Sequence, residues 1–83
     1  MPCRVGITTD PVARKAYWKN QVVGFANWRI LASYKKKSEA LEHEERNAKR
    51  YGCKSHAGGP DKKGVWVVYK FDYIRKKAQK KDK

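Results

Sequence analysis

Val65-Trp66-Val67-Val68-Tyr69-Lys70-Phe71 is β-branched or aromatic at every position but Lys70, the strongest strand signal in the chain. Upstream of it, Cys53–Gly64 is rich in Gly, Pro and Lys and reads as a loop. Its Gly58-Gly59-Pro60 is turn chemistry rather than a phosphate-binding loop, because neither Lys-Ser/Thr nor a helix start follows. Before the loop, Ser38 reads as an N-cap, with Glu39 and Glu42 in a first turn where the helix dipole favours negative charge. That helix ends near Tyr51, since Gly52 suits the left-handed C′ position. Trp28–Tyr34 alternates, with Trp28, Ile30, Ala32 and Tyr34 on one face of a strand, and Gly24 and Asn27 break the chain before it. Asp10 caps a first helix from Pro11 to about Asn20, and Cys3–Thr8 alternates as a short strand. The order β-α-β-α-β predicts an α+β (α/β-like) domain over Met1–Ile74, with one small three-stranded sheet and two helices. After Ile74 only Ala78 is apolar, so residues 75–83 are expected to be a disordered basic tail.

The chain has 83 residues, enough for one domain with a small core and too few to surround a bulky cofactor. Hydrophobic residues make up 40%, and 12% are aromatic, so the body folds. No apolar run reaches the ~20 residues of a membrane span, and Met1–Asp10 has no signal-peptide h-region, so a cytoplasmic location is expected. Cys3 and Cys53 are too few for a disulfide framework and read as buried thiols. With His43 and His56 they are four possible zinc ligands, but the spacing is unlike that of a zinc site. The formal charge is +13; Arg75–Lys83, with six Lys/Arg against one Asp, accounts for +5 of it. The remaining body is still strongly basic, which selects a polyanionic partner, chiefly nucleic acid.

One charge is out of place. The apolar stripe of the second helix runs Ala40, Leu41, Ala48, Tyr51, and Glu44 falls inside it, whereas Glu42 and Glu45 do not. A carboxylate on an inward face needs a cationic partner or a bound cation, unless it sits at the rim with its head exposed. Arg14, one turn after Asp10 beside the inward-looking Ala13, Ala16 and Tyr17, is the natural partner. Tyr17 and Trp18 add polar-tipped aromatics to the same region.

Arg4-Val5-Gly6-Ile7-Thr8-Thr9-Asp10-Pro11, followed by Arg14, resembles the second half of the GIY-YIG nuclease motif. Glu39-Ala40-Leu41-Glu42-His43-Glu44 resembles the later segment that carries the metal-binding glutamate, at Glu44, and Trp28-Arg29-Ile30-Leu31 lies where the family has its third strand. The match spans about Arg4 to Gly52. Arg4 stands where the family has its second tyrosine, and Trp18 where it has a His or Tyr, with Tyr17 one place earlier. The strand bearing Gly-Ile-Tyr has no counterpart ahead of Arg4. Val65–Phe71 resembles that strand, and a circular permutation would let Tyr69 supply the first tyrosine.

The resemblance implies metal-assisted phosphodiester hydrolysis, with Glu44 holding Mg²⁺ or another divalent cation, Arg14 on the phosphate, and Tyr69 and Tyr17 as further catalytic candidates. Arg4 cannot replace a general base, because guanidinium stays protonated. The expected function is therefore nucleic-acid binding, to DNA in preference to RNA, on a GIY-YIG-like fold. The contacts expected are Arg4, Lys15, Trp18, Lys19, Arg29, Lys35, Lys36, Lys37, Arg75, Lys76 and Lys77. The alternatives are a small nicking endonuclease and a basic module that binds an acidic protein, for example a phage-encoded inhibitor.

Overall fold

In the computed structural model, which describes residues 2–56 and 64–77, the elements are β1 (Cys3–Thr8), α1 (Pro11–Gln21), β2 (Val22–Val23), β3 (Ala26–Tyr34), α2 (Lys37–Tyr51), β4 (Lys54–His56), β5 (Trp66–Asp72) and β6 (Arg75–Lys76). The fold is α+β: two helices and a four-stranded mixed sheet of order β3-β5-β1-β4, with a two-stranded ribbon β2-β6. β5 runs antiparallel to both β1 and β3, and β4 lies parallel to β1. No helix among the described residues is long and apolar enough to cross a membrane.

The inner strands are covered on both faces. Val5, Ile7, Trp66 and Val68 pack with Ala40 and Ala48 of α2. Tyr69, Phe71 and Tyr73 pack with Trp18 of α1 and with Val22. Trp66 and Val68 have opposite pleat parity to Tyr69 and Phe71, so the two clusters occupy opposite faces of the sheet. Asp10 caps α1, its side chain accepting from the Ala13 N–H at 3.1 Å, with Pro11 at the first helical position. Gly52 ends α2 in the left-handed region at φ 68°, as its C′ position requires.

Several boundaries differ from the sequence reading. α2 starts at Lys37, ahead of Ser38: Lys36 is extended, and its carbonyl accepts the Ala40 N–H at 3.2 Å with no side-chain cap. On α1 the inward residue is Trp18, while Ala13, Ala16 and Tyr17 are exposed, because the helix rotates its Arg14–Trp18 edge toward the sheet. β3 carries irregularities at Ala26/Arg29 and Ile30/Ala32, so Trp28, Ile30, Ala32 and Tyr34 do not share one face: Tyr34 packs with Trp66 and Val68 beside Leu31, Trp28 packs with Tyr69, and Ile30 is exposed. Asn27 supplies the first of these, sitting at φ 57° with its amide donating to Asp72 at 2.8 Å.

The sheet has a fourth strand because Lys54–His56, expected as loop, pairs with Arg4–Gly6. The same parallel register brings Cys53 beside Cys3, and the two form a disulfide rather than buried thiols, with Cα atoms 4.8 Å apart. Cys3 and Cys53 are therefore not zinc ligands. Arg75 and Lys76, expected in the tail, form β6 against Val22–Val23. Ile74 leads into this ribbon by donating its N–H to Val23 at 2.8 Å, and it lies so close to Gly24 that a Cβ there would meet its side chain at 2.6 Å. The rest of the tail (78–83) and the turn Gly58-Gly59-Pro60 lie outside the described residues.

Candidate functional site

Trp18 links the helix to the sheet. Its indole Nε1 donates to Tyr69 Oη at 2.9 Å, and its ring lies 5.2 Å from Phe71 and 5.1 Å from Tyr17. Trp28 stacks on Tyr69 at 4.8 Å with only 19° between the planes. From β1, the Arg4 guanidinium sits 4.8 Å over the Trp18 ring. In the antiparallel register Arg4 faces Phe71 and Gly6 faces Tyr69, so the glycine opposes the phenol without a side chain of its own. The parallel register adds Lys54 beside Arg4, a cation the sequence reading did not single out because Lys54–His56 has no strand pattern.

Arg4 is 8% exposed and Trp18 3%, so neither is a surface contact for nucleic acid, as both were expected to be. Burying a guanidinium is costly, and here the Trp18 face offsets part of the cost, by about 2 kcal/mol for a desolvated cation–π pair. The Arg4 Nε–H is buried with no hydrogen-bond partner. Arg14 is half-buried, with its guanidinium 5.2 Å over the Tyr17 ring, and Tyr17 itself is 43% exposed. Glu44 is 2% exposed, as its place in the apolar stripe of α2 requires.

Tyr69 is fully buried, and burial pushes its phenol above the usual tyrosine range. The Trp18 hydrogen bond and the charges of Arg14 and Arg4 act against that rise, and the Glu44 carboxylate adds to it. The phenol stays protonated at neutral pH; its oxygen accepts from Trp18 while its own O–H remains a donor. A hydroxyl in that state orients or donates, and is a poor general base.

Glu44 is the one carboxylate in this neighbourhood among the groups acting on Tyr69. Among the described residues no group of three or more His, Cys, Asp and Glu comes together as a metal site. One buried carboxylate is not a donor set that could cage a divalent cation by itself.

The basic candidates divide by exposure. Lys15 and Lys19 on α1, Arg29 on β3, Lys35 and Lys36 before α2, and Arg75, Lys76 and Lys77 are all exposed. Lys37 is not among them: its ammonium lies 5.4 Å over the buried Trp66 ring. The β2–β6 ribbon holds Arg75 and Lys76 at the end of α1, and the Lys77 N–H donates to the Gln21 carbonyl at 2.9 Å. His43 was read only as a possible ligand, but its Nδ1 lies 2.8 Å from Tyr34 Oη, pinning α2 to β3.

The class these features define is a small basic α+β domain with a buried aromatic–guanidinium cluster between α1 and the sheet. Comparison with protein-family models, with curated proteins and with solved structures finds no match.

Proposed function

We propose that the chain is a nucleic-acid-binding domain of GIY-YIG-like, circularly permuted architecture, holding phosphates through the basic surface around α1. One observation carries the reading. Tyr69 lies opposite Gly6 in an antiparallel pair, and its hydroxyl accepts from Trp18 of α1, one turn after Arg14. A permuted motif needs that juxtaposition of three distant segments. β5 also pairs antiparallel with β1, as the family's hairpin of these two strands would. Lys15, Lys19, Arg75, Lys76 and Lys77 contact phosphates, with Arg14 closest to the cluster; such contacts set register and affinity without reading bases. DNA is the preferred partner over RNA, and the setting is the cytoplasm.

Binding without cleavage is favoured because Arg4 replaces a tyrosine and Tyr69 is held protonated. The nicking-endonuclease reading keeps one specific support, the burial of Glu44 on α2 at the place where the resemblance puts the metal-binding glutamate. In it, Glu44 would hold Mg²⁺ or Mn²⁺, which would stabilise charge on the leaving side. Supercoiled plasmid incubated with the protein, with EDTA or with either metal, tests both readings. Retardation without nicking, equal in EDTA and kept in Glu44→Gln, is the expected result. Metal-dependent nicked circles that vanish in Glu44→Gln would establish the enzyme. No retardation at low salt would overturn the proposal in favour of an acidic protein partner.

A further inference from the structure

Cys53 occupies an unusual place for a disulfide sulfur. Gly52, in its left-handed conformation, turns the chain out of α2, and the Cys53 N–H returns to the Ala48 carbonyl at 2.8 Å. This sets Cys53 at the wall of a solvent-open cavity of about 470 Å³, lined also by Glu45, Ala48, Lys49, Gly52 and Ser55. Its partner Cys3 is buried on β1 beneath the α2 side of the sheet. The two ends of the bond are therefore unequal: Cys53 is half-buried at the cavity whereas Cys3 is 8% exposed, so a nucleophile from solvent meets the Cys53 end first. Attack along the S–S axis then makes Cys3 the leaving group.

The surroundings also select the nucleophile. Lys49 and Glu45 line the cavity with opposite charges, but Lys54 follows Cys53 and Arg50 lies three residues before it, both exposed, so cations prevail around the site on a protein of formal charge +13. A thiolate that also carries carboxylates is drawn to such a site more strongly than a neutral one. The cavity is large enough for a small peptide thiol.

We propose that Cys53 is a thiolation site for small acidic thiols, with Cys3 as the resolving cysteine. The incoming thiolate attacks the Cys53 sulfur. A new S–S bond forms between the small thiol and Cys53 as the Cys53–Cys3 bond breaks, and the electron pair leaves on Cys3 as a thiolate, which takes a proton from water. One disulfide replaces another, so no external oxidant or reductant is consumed. Cys3 returns the bond by attacking Cys53 and expelling the small thiol. Cys3 directly precedes Arg4, so opening the bond frees the end of the strand that carries the buried guanidinium. The proposal does not depend on nucleic-acid binding.

The test uses the full oxidised chain, without denaturant, mixed with reduced glutathione and quenched at intervals with iodoacetamide before peptide mass mapping. The expected product carries glutathione on Cys53 and the alkyl group on Cys3. Glutathione should react roughly tenfold faster than its diethyl ester, which has the same thiol without the carboxylate charges. Lys49→Glu, on the exposed side of α2, should narrow that gap. Glutathione on Cys3, an even split between the cysteines, no exchange at either, or equal rates for the acid and the ester would each overturn the proposal.

Discussion

Raising the salt from 50 to 200 mM is expected to weaken binding to duplex DNA by roughly 10³–10⁵-fold, the loss that follows when about six to ten phosphate contacts release counterions. The exposed cations Lys15, Lys19, Arg29, Lys35, Lys36, Arg75, Lys76 and Lys77 are of that number, whereas Arg4 and Lys37 are occupied with Trp18 and Trp66. Because these are lysines and arginines on helix, ribbon and turn surfaces, the affinity should vary little between DNA sequences of equal length. A titration by fluorescence anisotropy across the salt series reads the slope directly. A shallow slope would mean that few phosphates are neutralised, and the surface would then belong to a protein partner.

Trp18→Ala is expected to destabilise the domain by about 3–5 kcal/mol, the range for removing a large buried aromatic. The loss combines several effects at one position. The ring leaves Phe71 and Tyr17, the Tyr69 hydroxyl loses the donor at 2.9 Å, and Arg4 loses the face that offsets its burial. Trp18→Phe separates them: it keeps much of the packing and should cost about 1–3 kcal/mol, chiefly from leaving a buried acceptor unpaired. Denaturant unfolding of both variants gives the comparison. A Trp18→Ala loss below about 1 kcal/mol would show that the aromatic cluster does not hold α1 to the sheet.

Helical phase singled out Glu44 from the sequence as a charge inside an apolar stripe, but phase alone left a rim position with an exposed head open, and the structure buries it at 2% exposure. Tyr69 was legible from the Val65–Phe71 run, and its opposition to Gly6 follows if that strand pairs with Cys3–Thr8. Trp18 was harder to place. The segment Val12 to Tyr17 offers apolar residues all round, so composition alone does not say which edge of α1 faces inward. The structure answers with Arg14 and Trp18, one turn apart. β4 and β6 were illegible for a different reason. Lys54–His56 and Arg75–Lys76 carry no alternating apolar pattern, and both exist through pairing with a partner strand already in place. The disulfide depends on that pairing as well, because Cys3 and Cys53 are 50 residues apart and only the parallel register makes them neighbours. A bulge between Ile30 and Ala32 moves Ala32 and Tyr34 to the Val68 and Trp66 face while Trp28 and Ile30 share the face of Tyr69, which breaks the period of two that an alternating reading assumes.

The central claim is that a phosphate of bound nucleic acid is held beside the Tyr69 cluster by Arg14, without help from a metal. The most direct measurement is the affinity of wild type and Arg14→Ala for the same labelled duplex, at low salt and in EDTA, with thermal melts run alongside. The variant should melt close to wild type, because Arg14 is half-buried and stacks on the exposed Tyr17. It should bind more weakly by about 1.5–3 kcal/mol, the contribution of a hydrogen bond to a charged group. Equal affinity of the two proteins, at equal stability, would contradict the claim.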